Sequence, residues 1–222
     1  MPEGANWLSP AVSDAAPSLA AFVCSSTWEK DPDRALDVFR ELTTLVLPTT
    51  CDDGDYRTGP TLARPGGSRG VAIVHRTAVV HPGTALVGDV FIASDCELGP
   101  NATVFGPTVI GPGSYVGPNA EIRRSVLLQD VKASHACYLG HSVIGRQANI
   151  AAQTVTAVRN LKRKTVHILV DGVLRDTELE LFGALIGDEA QFGCDVTIMP
   201  GRRIGVREIV GPRTLVMHNV GL

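Results

Sequence analysis

Aromatic side chains are scarce in this chain, 5% of 222 residues. Its core therefore has to be built from Val, Ile, Leu and Ala, within an apolar content of 44%. Long apolar runs are missing as well. No stretch approaches the ~20 residues a helix needs to cross a bilayer. The opening segment, MPEGANWLSPAVSD, has no basic stretch followed by an apolar one, so no signal peptide and no membrane partner are expected. A strong charge of one sign is absent too: a net charge of -3 gives no general attraction to nucleic acid or anionic lipid. The five cysteines (Cys24, Cys51, Cys96, Cys137 and Cys194) include no CxxC pair. Odd in number and scattered, they fit reduced thiols in a cytoplasm better than a disulfide framework or a zinc site. Lysine is nearly missing, with four against sixteen arginines among the 20 basic residues.

What is present falls into two unlike parts. Residues 1–69 read as a helical extension and linker. DPDRALDVFRELTTLVL, residues 31–47, predicts a helix capped by Asp31, with Pro32 in its first turn and Leu36, Phe39, Leu42 and Val46 on one face. A weaker helix is expected from Pro17 to Cys24. Residues 51–70, rich in Gly, Pro and Asp, read as a linker.

From residue 74 a six-residue stride takes over. Aliphatic side chains stand at Val74, Val80, Leu86, Ile92, Leu98, Val104, Ile110, Val116, Ile122 and Leu128. The stride returns at Ile186, Phe192, Ile198, Ile204, Val210 and Val216. Small or compact residues follow four places later, as at Ala78, Cys96 and Ala102. This period is neither helical nor that of an alternating strand. It predicts an all-β protein over 70–222, a single-stranded parallel β-helix. Each six-residue unit makes one flat face and one corner, and three units close a triangular coil of about eighteen residues. Seven or eight coils are expected, stacked at roughly 4.8 Å.

Two places break the stride. From Leu128 to Leu139 is eleven residues and from Leu139 to Ile144 five, a misfit on either side of Leu139 that is expected to push His135 out of the packing and into a cleft. His141, six residues on, is expected on the coil surface. Residues 157–182 form a longer interruption in which Asp171-Gly172 joins two β-like arms, a hairpin signal.

The block VGPNAEIRRSVLLQDVKASHACYLGHSVIGRQANIAAQTVTA (116–157) and, after the interruption, GALIGDEAQFGCDVTIMPGRRIG (183–205) resemble a known family. It is the acetyltransferase domain of bifunctional N-acetylglucosamine-1-phosphate uridyltransferases and of related archaeal sugar-1-phosphate nucleotidylyltransferases. The resemblance covers about residues 70–218 and is sharpest over His135–Gly140 and Ile144–Ile150. It implies a left-handed β-helix, a homotrimer, and acetyl transfer from acetyl-CoA to an amine at sites between subunits, without the nucleotidyltransferase domain. Residue by residue, it implies that His135 is the base and Glu121 a nearby carboxylate. Arg123, Tyr138 and Asn149 would contact the acceptor, and Ala152 and Cys194 would line the acyl-CoA groove. Lys162 and Lys164, with Arg159 and Arg163, would meet CoA phosphates or belong to a solvated loop. Phe105 stands where the family has a phosphate-binding Arg, and Val158 where it has Asn, unless Asn160-Leu161-Lys162 matches that Asn after a two-residue insertion.

The chemistry read from the residues agrees. An ammonium must lose a proton before it can attack a thioester, and a neutral imidazole is the natural acceptor near pH 7. The functional expectation is a CoA-dependent N-acyltransferase acting on an amino sugar or another small amine. A non-catalytic trimeric scaffold is the alternative. A metal-dependent hydratase of the same fold is a third reading, resting on His75 and His81, but no histidine triplet stands out and no metal is expected.

Overall fold

The computed structural model describes residues 5–25, 31–51, 54–63 and 69–222. Repeating units of two or three strand residues alternate with four-residue turns, and together they wind a three-faced parallel β-helix. The first face begins with the strand Arg69–His75, the second with Val79–Val80 and the third with Ala85–Val87. Seven strands stack on each face. Nearly every strand turns an apolar residue inward, and on the first face Ala72, Val90 and Ala184 add a second. The inward column of the first face runs Val74, Ile92, Ile110, Leu127, Ile144, Ile186, Ile204. Inside the prism these aliphatics meet Leu98, Val116 and Ile150 from the second face and Val104, Ile122 and Leu139 from the third, all buried. Each buried aliphatic contributes about 1.5–3 kcal/mol.

The corners explain the small and polar residues of the repeat. One residue per corner has a positive φ. Asp95, Asn101, Asn119, Asp130 and Gly113 fill such places, and these residue types tolerate the left-handed conformation best.

Of the two short steps expected from the sequence, Leu139–Ile144 is found, and the other lies earlier than expected. Inward positions run Ile122, Leu127, Ala133, Leu139, Ile144, so the five-residue steps are Ile122–Leu127 and Leu139–Ile144. Both lie at the corner from the third face to the first, where they stack on one another. Leu128 faces outward into a second core, and Ala133 takes the inward place before His135. His135 therefore sits in a corner of ordinary length, and no misfit displaces it.

The N-terminal part is a cover for the first face. Helices α1 (Pro10–Ala15), α2 (Pro17–Val23) and α3 (Pro32–Thr44) begin at Ser9, Ala16 and Asp31; the Ser9 and Asp31 side chains accept from the amides of Val12 and Arg34. Phe22, Phe39, Leu19 and Leu42 are fully buried against an outward column of the first face: Ile73, Phe91, Val109, Val126, Val143 and Leu185. Helix α3 stops at Thr44 and leaves Val46 75% exposed, because Leu45 is extended and Pro48 follows. The expected apolar face of that helix therefore ends at Leu42.

Part of the expected linker is a strand. β1 (Tyr56–Ala63) pairs antiparallel with β2 (Arg69–His75) and, through Leu62 and Val87, parallel with the first strand of the third face. It closes the exposed edges of two faces at the start of the prism, a protection such edges need. Of the expected linker, residues 52–53 and 64–68 lie outside the described residues. The hairpin does form, as strands His167–Val170 and Val173–Asp176 around Asp171-Gly172. It leaves the prism between Val155–Thr156 on the third face and Ala184–Ile186 on the first.

Candidate functional site

His135 occupies the corner from the second face to the third, and the backbone fixes what stands above and below it. The amide of Asn119 donates to the Pro100 carbonyl (3.1 Å) and that of Ala136 to the Pro118 carbonyl (3.0 Å). The Gln153 amide donates to the His135 carbonyl (3.1 Å), Asp195 to Ala152 (2.9 Å) and Arg213 to Cys194 (2.9 Å). Six corners thus align in one ladder: Pro100, Pro118, His135, Ala152, Cys194, Pro212. Rigid prolines hold both ends. The three central rungs are residues that the sequence had placed at the base and in the acyl-CoA groove. Neighbouring rungs are roughly 4.8 Å apart. His135 and Cys194 are exposed and Ala152 is half-buried. The His135 imidazole hydrogen-bonds to no other described residue.

Glu121, Arg123 and Tyr138 gather on the third face. Glu121 pairs with Tyr138 across adjacent strands, and Arg123 with Gly140. Arg123 Nε donates to Glu121 Oε1 at 3.2 Å, and its guanidinium lies 4.1 Å above the Phe105 ring centroid on the strand below. Gly140 makes room for the Tyr138 ring: a Cβ there would stand 2.6 Å from Tyr138 Oη. Burial raises the Tyr138 hydroxyl pKa; Arg123 opposes that shift and Glu121 adds to it. Glu121 is thus engaged with Arg123 in its own strand, and no hydrogen bond joins it to His135. Asn149 lies on the second face, between Lys132 and Gln191, around the corner from the other three.

The basic residues of the interruption meet a different surface. Arg159, Lys162, His167 and Arg202 line a pocket of about 500 Å³ floored by Met199 and Met217. Arg202 Nε is buried there without a partner. Lys164 is exposed outside the pocket lining. The sequence offered a signal for the floor that went unread: Met199 and Met217 are eighteen residues apart, the length of one coil, and the Met199 amide donates to the Val216 carbonyl (3.1 Å).

One histidine behaves unlike the expectation for it. His141 is 4% exposed, not on the coil surface. Its φ is 50°, and its ring lies 6.1 Å from Phe39, under α3. Burial, helped by the charges of Arg124 and Arg123, depresses its pKa to about 4. His81 Nε2 lies 2.9 Å from Glu97 Oε1. Among the described residues no three His, Cys, Asp or Glu side chains are placed to hold a metal ion. Cys96 and Cys137 turn into the prism, and burial pushes both thiols up to about 12.

Comparison with known proteins finds relatives of the repeat region. Residues 86–179 match the family model described as the GMPPB C-terminal domain. The chain is 32% identical over 123 residues to "Bifunctional protein GlmU" of Methanococcus vannielii, covering 55% of this chain and 30% of that protein. It is 31% identical over 153 residues to "Bifunctional sugar-1-phosphate nucleotidylyltransferase/acetyltransferase" of Sulfurisphaera tokodaii, covering 69% and 38%. The chain thus spans about a third of the length of these curated relatives. Among solved structures it is similar to a hexapeptide transferase family protein from Anaplasma phagocytophilum, with 16% identity, a TM-score of 0.34, and coverage of 64% of this chain and 70% of that one. The repeat region is a hexapeptide acyltransferase-like domain.

Proposed function

We propose, from the premise of a hexapeptide acyltransferase-like β-helix, that this chain is a CoA-dependent N-acyltransferase. It moves an acetyl group from acetyl-CoA to the amine of an amino sugar or similar small amine. One observation carries the reading: His135, Ala152 and Cys194 form three consecutive rungs of one solvent-facing ladder, bounded by prolines. An extended thioester laid along such a ladder has its carbonyl beside an imidazole and its tail along small side chains.

The chemistry then runs as follows. The ammonium first gives one proton to solvent; as the free amine attacks, the C–N bond forms, His135 takes the second proton from that nitrogen, the C–S bond breaks, and His135 passes this proton to the departing thiolate. A positioned base of this kind contributes about 10²–10⁴-fold. Arg123, Tyr138 and Glu121 hold the acceptor on the third face, and Asn149 meets it from the second. Arg159, Lys162 and Arg202, with Lys164 at the rim, hold the phosphates at the far end of CoA.

Acceptor and base residues lie on two faces of one prism, and the His135 ring has no orienting hydrogen-bond partner among the described residues. A second copy supplies both, so the active assembly is a homotrimer with sites between subunits. The first face, covered by α1–α3, takes no part. Cysteines free of disulfides fit a reducing cytoplasm.

The test is direct. Purified protein is mixed with acetyl-CoA and a panel of amino sugars, and thiol release is followed. The expected result is thiol release with at least one amine and a trimer by light scattering. No acetyl-CoA binding by calorimetry, together with no thiol release, would leave the non-catalytic scaffold.

A further inference from the structure

The third face is nearly uncharged. Its outward side chains, strand by strand, include Ala85, Thr103 and Phe105, Glu121 and Arg123, Tyr138, Val155 and Thr197. Glu121 and Arg123 are its one ionised pair, and each occupies the other at 3.2 Å. The guanidinium plane is further taken up by the Phe105 ring, 4.1 Å away. Arg124, the next residue, has turned the corner at φ 46°, and its charge acts on His141 behind that corner.

Resting on the acyl-transfer reading above, we propose that Phe105 and the Glu121–Arg123 pair select an acceptor amine whose body is uncharged where it meets the third face, and reject a sugar phosphate there. A phosphate needs positive charge in excess. Here it finds one guanidinium already matched by a carboxylate, and approaching that guanidinium brings it against the carboxylate as well. The strand below, which could have carried a second cation beside Arg123, carries a phenyl ring instead. The same surface suits an amino sugar without phosphate. The Thr103 and Tyr138 hydroxyls meet sugar hydroxyls, and the Tyr138 ring, packed beside Gly140, gives the apolar side of a pyranose something to rest on.

The proposal makes Phe105 a specificity determinant. An Arg at 105 would stand directly opposite Arg123 in the register and leave two cations against one carboxylate. The experiment is calorimetry of glucosamine and glucosamine 1-phosphate, with CoA present, on the wild type, on Phe105→Arg and on Glu121→Gln. Expected for the wild type is at least tenfold tighter binding of glucosamine. Expected for both variants is a shift of the ratio by tenfold or more towards the phosphate; Glu121→Gln keeps the test alive should Phe105→Arg not fold. Tighter phosphate binding by the wild type, an unchanged ratio in every folded variant, or binding of neither sugar overturns the proposal. Acetyl transfer is assayed separately. A sugar preference as stated with no transfer would defeat the reading of the reaction and leave this one standing.

Discussion

Arg146 and Asp188 join the β-helix to its cover. Arg146 Nη1 lies 3.1 Å from Asp188 Oδ2, and the other terminal nitrogen of the same guanidinium donates to the Val23 carbonyl at 3.1 Å. It also donates to Ser25 O. The cation thus sits at the C-terminal end of α2, where the helix dipole favours it. Both side chains are mostly buried, at 11% and 16% exposure. Arg146→Ala removes the guanidinium from Asp188 Oδ2 and from the Val23 carbonyl, while the backbone amide of residue 146 still donates to Asp188 Oδ1 at 2.7 Å, and a loss of about 2 kcal/mol is expected, read from urea unfolding. A change below ~1 kcal/mol would mean the latch is idle.

His141 makes stability fall in acid. Its pKa is about 4 in the folded protein against an ordinary 6.5, so the unfolded chain binds the proton more readily. The contribution of the neutral ring is complete above pH ~6.5 and is lost as pH falls from there towards 4, by up to about 3 kcal/mol. His141→Asn, which tolerates the positive φ, should flatten this part of the stability–pH curve. Parallel curves for the two proteins would show that other groups cause the loss.

His135→Ala should lower turnover by about 10²–10⁴-fold while leaving acetyl-CoA affinity within a few-fold, since a small side chain at that rung keeps the ladder open. Steady-state rates and calorimetry separate the two. Wild-type turnover in the variant would remove His135 from the mechanism.

Gly140→Ala places a methyl against the Tyr138 side chain, which supplies the three atoms nearest to it. The ring can swing away, so the fold should lose less than ~1 kcal/mol while KM for the acceptor rises several-fold. Unchanged KM would show that Tyr138 does not hold the acceptor.

Cysteine labelling maps the ladder. Brief iodoacetamide treatment of the native protein should modify Cys194, which is exposed, and spare Cys96 and Cys137, whose thiols are buried and held protonated. Saturating acetyl-CoA should slow modification of Cys194, as read by peptide mass spectrometry. Equal rates with and without it would place the cofactor elsewhere.

Much of this architecture was legible in the stride, because a prism this narrow takes an apolar residue from nearly every strand and leaves a strong period. The failures have a shared cause. Leu127 and Leu128 are both apolar, and a six-residue count continues through Leu128, yet Leu127 points inward. The same ambiguity recurs at Ile73-Val74, Phe91-Ile92, Val109-Ile110, Val143-Ile144 and Leu185-Ile186, where one residue of each doublet faces the prism and the other the cover. Doublets once per coil were the available signal for a covered face, and they would have placed His141 beneath the helices. Tyr56–Ala63 could not be read as a strand because its Gly59 and Pro60 resemble a turn, and only the prism edge pairs it. Of the site, His135, Ala152 and Cys194 were named through the family resemblance alone, and their alignment in one ladder is visible only in the structure. The Arg123–Phe105 stack was not legible, because its two members are eighteen residues apart and meet only across neighbouring coils.

The proline-ended ladder is a ruler. Each coil adds one rung, and on the acyl-transfer reading the rungs between His135 and Pro212 would set how long an extended ligand can lie along the corner. Lengthening such a protein by one eighteen-residue coil between Ala152 and Cys194 would extend the track by roughly 4.8 Å and leave the reacting end untouched. Reach along this molecule is therefore counted in whole coils, and a change in sequence length is translated into distance without any change of fold.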